Sequence, residues 1–261
     1  MSDSLLKIGL SLPFAETAAL ANIDYIPECF ELIELPGEAV FDAHTLKETA
    51  SCWQEFECFN FRNLIPSALT CQLSPENRMI IQEYKKKLRD LLERAHAGKA
   101  EYAGLDPDWE SLAADPGKLA VFNDILRSTA GDRAYYNIDL YITVRLPGSG
   151  SCSVHESIAL LHKLSNYRVK LALDIYPHEL LKSQIDWQEL LNKFRFETGC
   201  IRLCYQSELG NKLLFQHIEK IVKPLHKWQQ EVHIYLAPSG RANYDELAET
   251  AKSIICEANE Q

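Results

Sequence analysis

The chain alternates short runs of β-branched and aromatic residues with longer stretches whose apolar residues recur every three or four positions. The first pattern fits buried strands and the second amphipathic helices. Strand one is expected at KIGLSL, Lys7 to Leu12, followed by a short helix over 15–21. Strand two has two readings. IDYIPEC, from Ile23, is preferred, and FELIEL, Phe30 to Leu35, is the more apolar option. Strand three is FECFNF, Phe56 to Phe61. A helix then runs from Pro75 to Ala97, with Ser74 as its N-cap, an apolar stripe from Ile80 to Ala95, and Gly98 as its stop.

The same alternation continues to the C-terminus. Strand four is AEYAGL (Ala100 to Leu105), with a helix over 115–128. Strand five is IDLYITVRL (Ile138 to Leu146), and Ser153-Val154-His155-Glu156 has the spacing of a capping box opening the next helix. Strand six is VKLALDI (Val169 to Ile175), with a helix over 186–194. Strand seven is CIRLCYQ (Cys200 to Gln206), with a helix over 215–229. Strand eight is VHIYLA (Val232 to Ala237), and a last helix covers 244–257. Eight strands, each followed by helical sequence, argue for a closed (β/α)8 TIM barrel rather than an open sheet. No linker-like stretch or composition break interrupts the series, so residues 1–261 are expected to form a single TIM-barrel domain.

Composition narrows the partners. The 261 residues carry a formal net charge of −10. An acidic surface repels phosphate backbones and anionic headgroups, so neither nucleic acid nor a membrane is expected as a partner. No run approaches a membrane span, and the N-terminus lacks a basic segment ahead of an apolar one, which points to the cytoplasm. The eight cysteines contain no C-x-x-C pair. Cys200 and Cys204 lie about 13 Å apart on one strand, too far to share a metal. Reduced, buried thiols are the expectation. Homo-oligomerisation is left open.

In a TIM barrel the active site lies at the C-terminal ends of the strands. Read in order, those positions supply Asn60 and Arg62, Asp106 and Asp108, Thr143 and Arg145, Asp174 and His178, Gln206 and Glu208, and Ser239 and Arg241. So many polar groups suit a small sugar or polyol, whose buried hydroxyls each need a partner. The loops holding Gly210 with Lys212 and Gly240 with Arg241 suit a phosphate, as backbone N–H groups at glycine turns do in such barrels. Pro147-Gly148-Ser149-Gly150-Ser151 is read as a flexible loop leading to a helix cap, with an anion cradle as the alternative. Arg145, at a strand end, needs a counter-charge, and Asp174 or a ligand carboxylate is the expected source.

The stretch FNFRNLIPSALT, the long helix after it, and its ending ERAHAGKAEYAG resemble the third βα unit of the xylose-isomerase-like sugar phosphate isomerase/epimerase barrels. Asn60 and Pro66 fit that unit's first part. Ile23-Asp24-Tyr25-Ile26 is similar to the start of the family's strand two, and Leu171-Ala172-Leu173-Asp174 to its strand six. The resemblance implies a divalent metal held by carboxylates and a histidine, with acid/base proton transfer beside it. Only part of that set is present. The strand-two glutamate falls at or near Pro27, with Glu34 the nearest alternative, and the strand-five glutamate near Thr143 or Val144. Asp174 matches the strand-six aspartate, and His178 stands four positions beyond it. The strand-seven histidine reads Cys204 or Tyr205, and YLAPSG lacks the strand-eight glutamate.

The expectation is therefore an isomerase- or epimerase-like barrel acting on a small sugar, polyol or sugar phosphate, with no cofactor and a divalent metal disfavoured. Asp174, His178 and Arg145 are its catalytic candidates, as acid/base, proton shuttle and substrate anchor. Asn60, Arg62, Asp106, Gln206, Glu208, Lys212 and Arg241 are its substrate-binding candidates. The alternative is a metal-free, non-catalytic member that binds a sugar-like or anionic ligand or a protein partner.

Overall fold

The computed structural model describes residues 6–12, 29–37, 58–65, 71–146, 148–149, 152–163, 169–176, 186–205, 225, 228, 231–238 and 244–259. Eight parallel strands close into a barrel: β1 (Leu6–Ser11), β2 (Leu32–Pro36), β3 (Cys58–Arg62), β4 (Tyr102–Leu105), β5 (Asp139–Leu146), β8 (Val169–Ile175), β9 (Thr198–Tyr205) and β10 (Val232–Pro238), with β10 pairing back onto β1. Between β5 and β8, two-residue strands β6 (Gly148–Ser149) and β7 (Cys152–Ser153) form an antiparallel pair within the glycine-serine stretch. The chain has the fold expected of the eight-strand pattern.

One strand is corrected. The strand between β1 and β3 is Leu32–Pro36, within the FELIEL option, and not the preferred run from Ile23. Its outward residues Ile33 and Leu35 are buried against the apolar shell, and its inward Glu34 finds partners inside the barrel, so every position of the strand is satisfied.

The wall follows the period-two rule of strands. One set of positions is aliphatic and packs outward: Leu10, Ile33, Leu140, Ile142, Leu173, Ile201, Leu203 and Ile234 all belong to the main apolar cluster. The cluster's other half comes from the helices. Helix α1 (Arg78–Ala97) buries Tyr84, Leu88, Leu91, Leu92 and Ala95. Its N-cap is Asn77 rather than Ser74, because Asn77 Oδ1 accepts from the Ile80 amide at 3.2 Å. Two short helices that periodicity does not anticipate, α2 (Trp109–Ala114) and α4 (Ala130–Tyr136), flank α3 (Pro116–Ser128), which Asp115 caps. The remaining helices are α5 (Val154–Lys163), α6 (Trp187–Lys193) and α7 (Tyr244–Asn259). No helix among the described residues is long and apolar enough to cross a membrane.

The inward set is different. Leu32, Tyr102, Tyr141, Ala172, Cys200 and Tyr235 form a separate buried cluster across the barrel. The Tyr102 and Tyr141 rings stack at 4.1 Å between centroids, and Tyr235 meets Tyr102 edge-on at 6.3 Å. Rings of that size fit only because the wall opposite them is glycine. A Cβ at Gly199 would stand 2.4 Å from the Tyr141 ring, and one at Gly9 2.6 Å from the Tyr235 ring. Helix caps and outward stripes thus fix the shell, while aromatic rings set against glycine fill the middle and support the layer above.

Candidate functional site at the barrel mouth

Above the tyrosines lies a layer of charge. Glu34 on β2 and Arg202 on β9 are both fully buried, at 0 % and 1 % exposure. Arg202 Nε donates to Glu34 Oε1 and Oε2 at 2.9 and 2.7 Å, and Nη2 donates to Oε1 at 2.7 Å. Ser11 Oγ on β1 donates to Oε2 at 2.6 Å, and the Tyr102 hydroxyl donates to Oε1 at 2.6 Å. The other guanidinium nitrogen, Nη1, reaches Asp174 Oδ1 on β8 at 2.8 Å and Thr143 Oγ1 on β5 at 3.4 Å. Ion-paired and hydrogen-bonded on all sides, these groups meet the condition under which buried charge is tolerated. Burial alone would raise Glu34, but the charge and hydrogen bonds of Arg202 outweigh it and hold the carboxyl below its ordinary value. Burial likewise works against the Arg202 charge, yet Glu34 and Asp174 fix it as a cation.

Strand register builds the mouth above this layer. Arg145 of β5 stands beside Asp174 of β8, which stands beside Arg202 of β9. Asp106 follows β4 and is half-buried. Burial first, and then the charge of Asp174, push its carboxyl up to about 6. Asp174 keeps Oδ2 outside its bond to Arg202, and its side chain is 19 % exposed. The mouth therefore holds two carboxyl groups in unlike surroundings: Asp174 is clamped by a guanidinium, and Asp106 is pushed up by burial and by the Asp174 charge. Cys204 adds a buried thiol that burial and Asp174 keep protonated.

The predicted site residues divide into three sets. Asp174, Asp106 and Arg145 come together at the mouth. The guanidinium bound to Asp174 is that of Arg202, a correction to the expected pairing with Arg145, whose own guanidinium lies over the Tyr176 ring at 4.1 Å. Arg62 Nη2 donates to the Leu12 carbonyl at 3.1 Å, near enough for its charge to act on Glu34.

Two others are spent on structure. Asn60 is fully buried: its amide nitrogen donates to the Tyr235 hydroxyl at 3.0 Å, and its oxygen accepts from the Glu101 and Tyr102 amides at 3.1 and 3.0 Å, tying β3 to β4. Asp108 caps α2 and accepts from the Cys71 thiol. The third set, His178, Gln206, Glu208, Lys212 and Arg241, lies outside the described residues, as do the loops holding Gly210 and Gly240, the expected helix over 15–21, and all but residues 225 and 228 of the one expected over 215–229. Cys29, Cys71, Cys200, Cys204 and Cys256 form no disulfide; Cys200 and Cys204 are buried as expected, whereas Cys71 and Cys256 are exposed.

Sequence reasoning missed Ser11, Tyr102 and Arg202, and reached Glu34 only through the resemblance, as the alternative to Pro27. The signal was present in LIEL and CIRLCY: one charge in the middle of each of two apolar strands, opposite in sign. Two such charges facing one barrel interior have each other as the nearest remedy for burial.

A divalent metal, as the family resemblance implies, does not fit this donor set. Both Glu34 oxygens are covered by Arg202, Ser11 and Tyr102, and Asp174 is bound to the same guanidinium. Strand five reads Thr143-Val144, and the described end of strand eight reads Tyr235-Leu236-Ala237-Pro238, where the resemblance implies carboxylates. Among the described residues no three His, Cys, Asp or Glu side chains gather to hold an ion.

No family model and no curated protein matches the sequence. Solved structures do match over nearly the whole chain. The apo 3-keto-D-glucoside 4-epimerase of E. coli aligns with TM-score 0.65 and 13% identity, over 97% of this chain and 98% of that one. A D-tagatose 3-epimerase-like protein aligns with TM-score 0.68 and 13% identity, over 97% of each chain. This is the xylose-isomerase-like TIM-barrel fold. An AP endonuclease of family 2 from Brucella melitensis shares it as well, with TM-score 0.62 and 16% identity over 94% of this chain and 98% of that one. Sugar epimerases and an AP endonuclease thus share one scaffold, and the fold by itself assigns no activity.

Proposed function

We propose that this chain is a sugar isomerase- or epimerase-like enzyme that moves protons on a small sugar or polyol between Asp106 and Asp174. The observation that carries the reading is the pair itself: Asp174, held by the Arg202 guanidinium at 2.8 Å, and Asp106, whose carboxyl burial and the Asp174 charge push up to about 6. Such a division is how one site comes to hold both an acid and a base. Asp174 Oδ2 takes the C–H proton next to the substrate carbonyl, and the protonated Asp106 gives its proton to the carbonyl oxygen. The product of that step is a neutral enediol. Return of the two protons to different atoms gives the isomer, and return to the opposite face gives the epimer. Arg145 anchors a substrate hydroxyl, and His178 is the candidate shuttle to water. A phosphate on the substrate would be met by Lys212 and Arg241. Support for a sugar rather than a nucleic acid comes from the carboxylates at the mouth, the net charge of −10, and the sugar epimerases among the structural neighbours. The reading extends to residues 1–261 as one cytoplasmic barrel domain.

The test is solvent exchange. Protein incubated in D2O with a panel of aldoses and ketoses, in EDTA and in parallel with Mn2+, should exchange the C–H next to the carbonyl, read by proton NMR. Asp106→Asn and Asp174→Asn should each slow exchange by about 10²–10⁴-fold. If both variants exchange at the wild-type rate, the pair is not the proton-transfer centre. Sugar binding without exchange in either medium would favour the non-catalytic alternative, which the engagement of Glu34 and Asp174 by Arg202 already makes the second reading.

A further inference from the structure

We infer that the Arg202 guanidinium is the resident cation of this site and keeps divalent metals out of the barrel mouth. The inference concerns the ionic make-up of the site and holds whatever substrate it takes.

The geometry points to this in three steps. First, Arg202 is fixed. Its side chain is 1 % exposed, and its three nitrogens donate to Glu34 at 2.7 to 2.9 Å, to Asp174 at 2.8 Å and to Thr143 at 3.4 Å. A guanidinium stays charged at any working pH, so the positive charge is permanent. Second, it uses up the oxygens a metal would need. Glu34 Oε1 accepts from Tyr102 and twice from Arg202, and Oε2 accepts from Ser11 and Arg202. A hard divalent ion seeks about six oxygen ligands with free lone pairs, and Glu34 offers none. Third, the charges already balance in part. Glu34 and Asp174 bring two negative charges around one positive charge, so a divalent ion at the mouth would meet a like charge at close range and, among the described residues, Asp174 Oδ2 and Asp106 as its remaining carboxylate donors.

A built-in guanidinium differs in kind from a bound metal. Chelators cannot remove it, it has fixed directions rather than exchangeable coordination positions, and it does not generate a metal-bound hydroxide. It acts here as a positioning group: it holds Asp174 by one oxygen and leaves the other toward the mouth.

The test is Mn2+ uptake, read by the EPR signal of free Mn2+ and by the melting temperature, since a ligand that binds only the native state raises it. EDTA-dialysed wild-type protein should take up no stoichiometric Mn2+ at millimolar concentrations and show no melting shift beyond that of Ca2+-free buffer at equal ionic strength. Arg202→Ala frees Glu34 and Asp174, and should bind Mn2+ about tenfold or more tightly than wild type, with a rise in melting temperature. Arg202→Lys keeps a cation and should remain without Mn2+. If Arg202→Ala does not fold alone, refolding it in Mn2+ is the same test: return of the native near-UV signal supports the inference, and no return counts against it. One Mn2+ per wild-type chain, tight uptake by Arg202→Lys, or a folded Arg202→Ala that takes up none would overturn it. None of these readouts involves turnover, so failure of the sugar reading leaves them untouched.

Discussion

The two faces of the barrel wall are built from the same strands by different rules. On the outside, Ile33, Leu173 and Ile201 touch helices through aliphatic surface alone. Each contact is modest, and many substitutes of similar volume would serve. On the inside, the neighbours of those residues in sequence are Glu34, Asp174 and Arg202, which hold one another through directed, short hydrogen bonds. Below them Tyr102, Tyr141 and Tyr235 fit against bare glycine. The outer face tolerates change because burial is non-directional. The inner face does not, because each group there satisfies a specific partner. A barrel can therefore keep its shell while the polar groups of its interior change.

The contrast can be broken most forcefully at Arg202. Arg202→Leu leaves Glu34 buried without its counter-charge and should cost about 3–5 kcal/mol in a denaturant melt. Adding Glu34→Gln to it should recover most of that loss, because a neutral buried group no longer lacks a counter-ion. A single variant as stable as wild type would mean the inner ion pair does not hold the wall. Gly199→Ala comes next. A methyl group driven against the Tyr141 ring should cost about 1–3 kcal/mol, whereas Ile201→Leu on the outer face should cost less than about 1.5 kcal/mol. Equal costs would erase the distinction between the faces.

Asp106 gives the stability effect with a pH signature. Its carboxyl is raised from 3.8 to about 6 in the folded protein, so the fold favours the protonated form. The stability it contributes is present below the unfolded value and is lost as pH rises through about 6. Asp106→Asn should therefore stabilise the protein by about 2 kcal/mol at pH 8, a figure discounted for partial exposure, and by little at pH 4. A pH-independent difference in melting temperature between the two proteins would refute the assignment.

Legibility in the sequence follows the same division. The outer face was readable: alternating aliphatic runs place β8 at Val169–Ile175 as expected, and Asp115 and Gly98 bound their helices as turn chemistry predicts. Strand two was misplaced because IDYIPEC and FELIEL both look like strands, and only closure of the barrel on β1 and β3 chooses between them. The mouth was half legible. Asp174, Arg145 and Asp106 sit at strand ends, where the fold puts chemistry. Arg202 did not stand out, because a charge inside an apolar run reads as an interruption until its partner, 168 positions away, is known, and Glu34 was reached only through the resemblance, as the alternative to Pro27. Asn60 was read as a ligand contact because polarity at a strand end does not reveal whether an amide faces solvent or a neighbouring strand.

Burial first, and then the charge of Asp174, push the Asp106 carboxyl up against the opposing charge of Arg202. Carbon-13 NMR titration of the Asp106 carboxyl tests this without any substrate. The midpoint should lie at about 6 in the wild-type protein and move down toward the ordinary aspartate value in Asp174→Asn. A wild-type midpoint near 4, or one that Asp174→Asn leaves in place, would contradict the account.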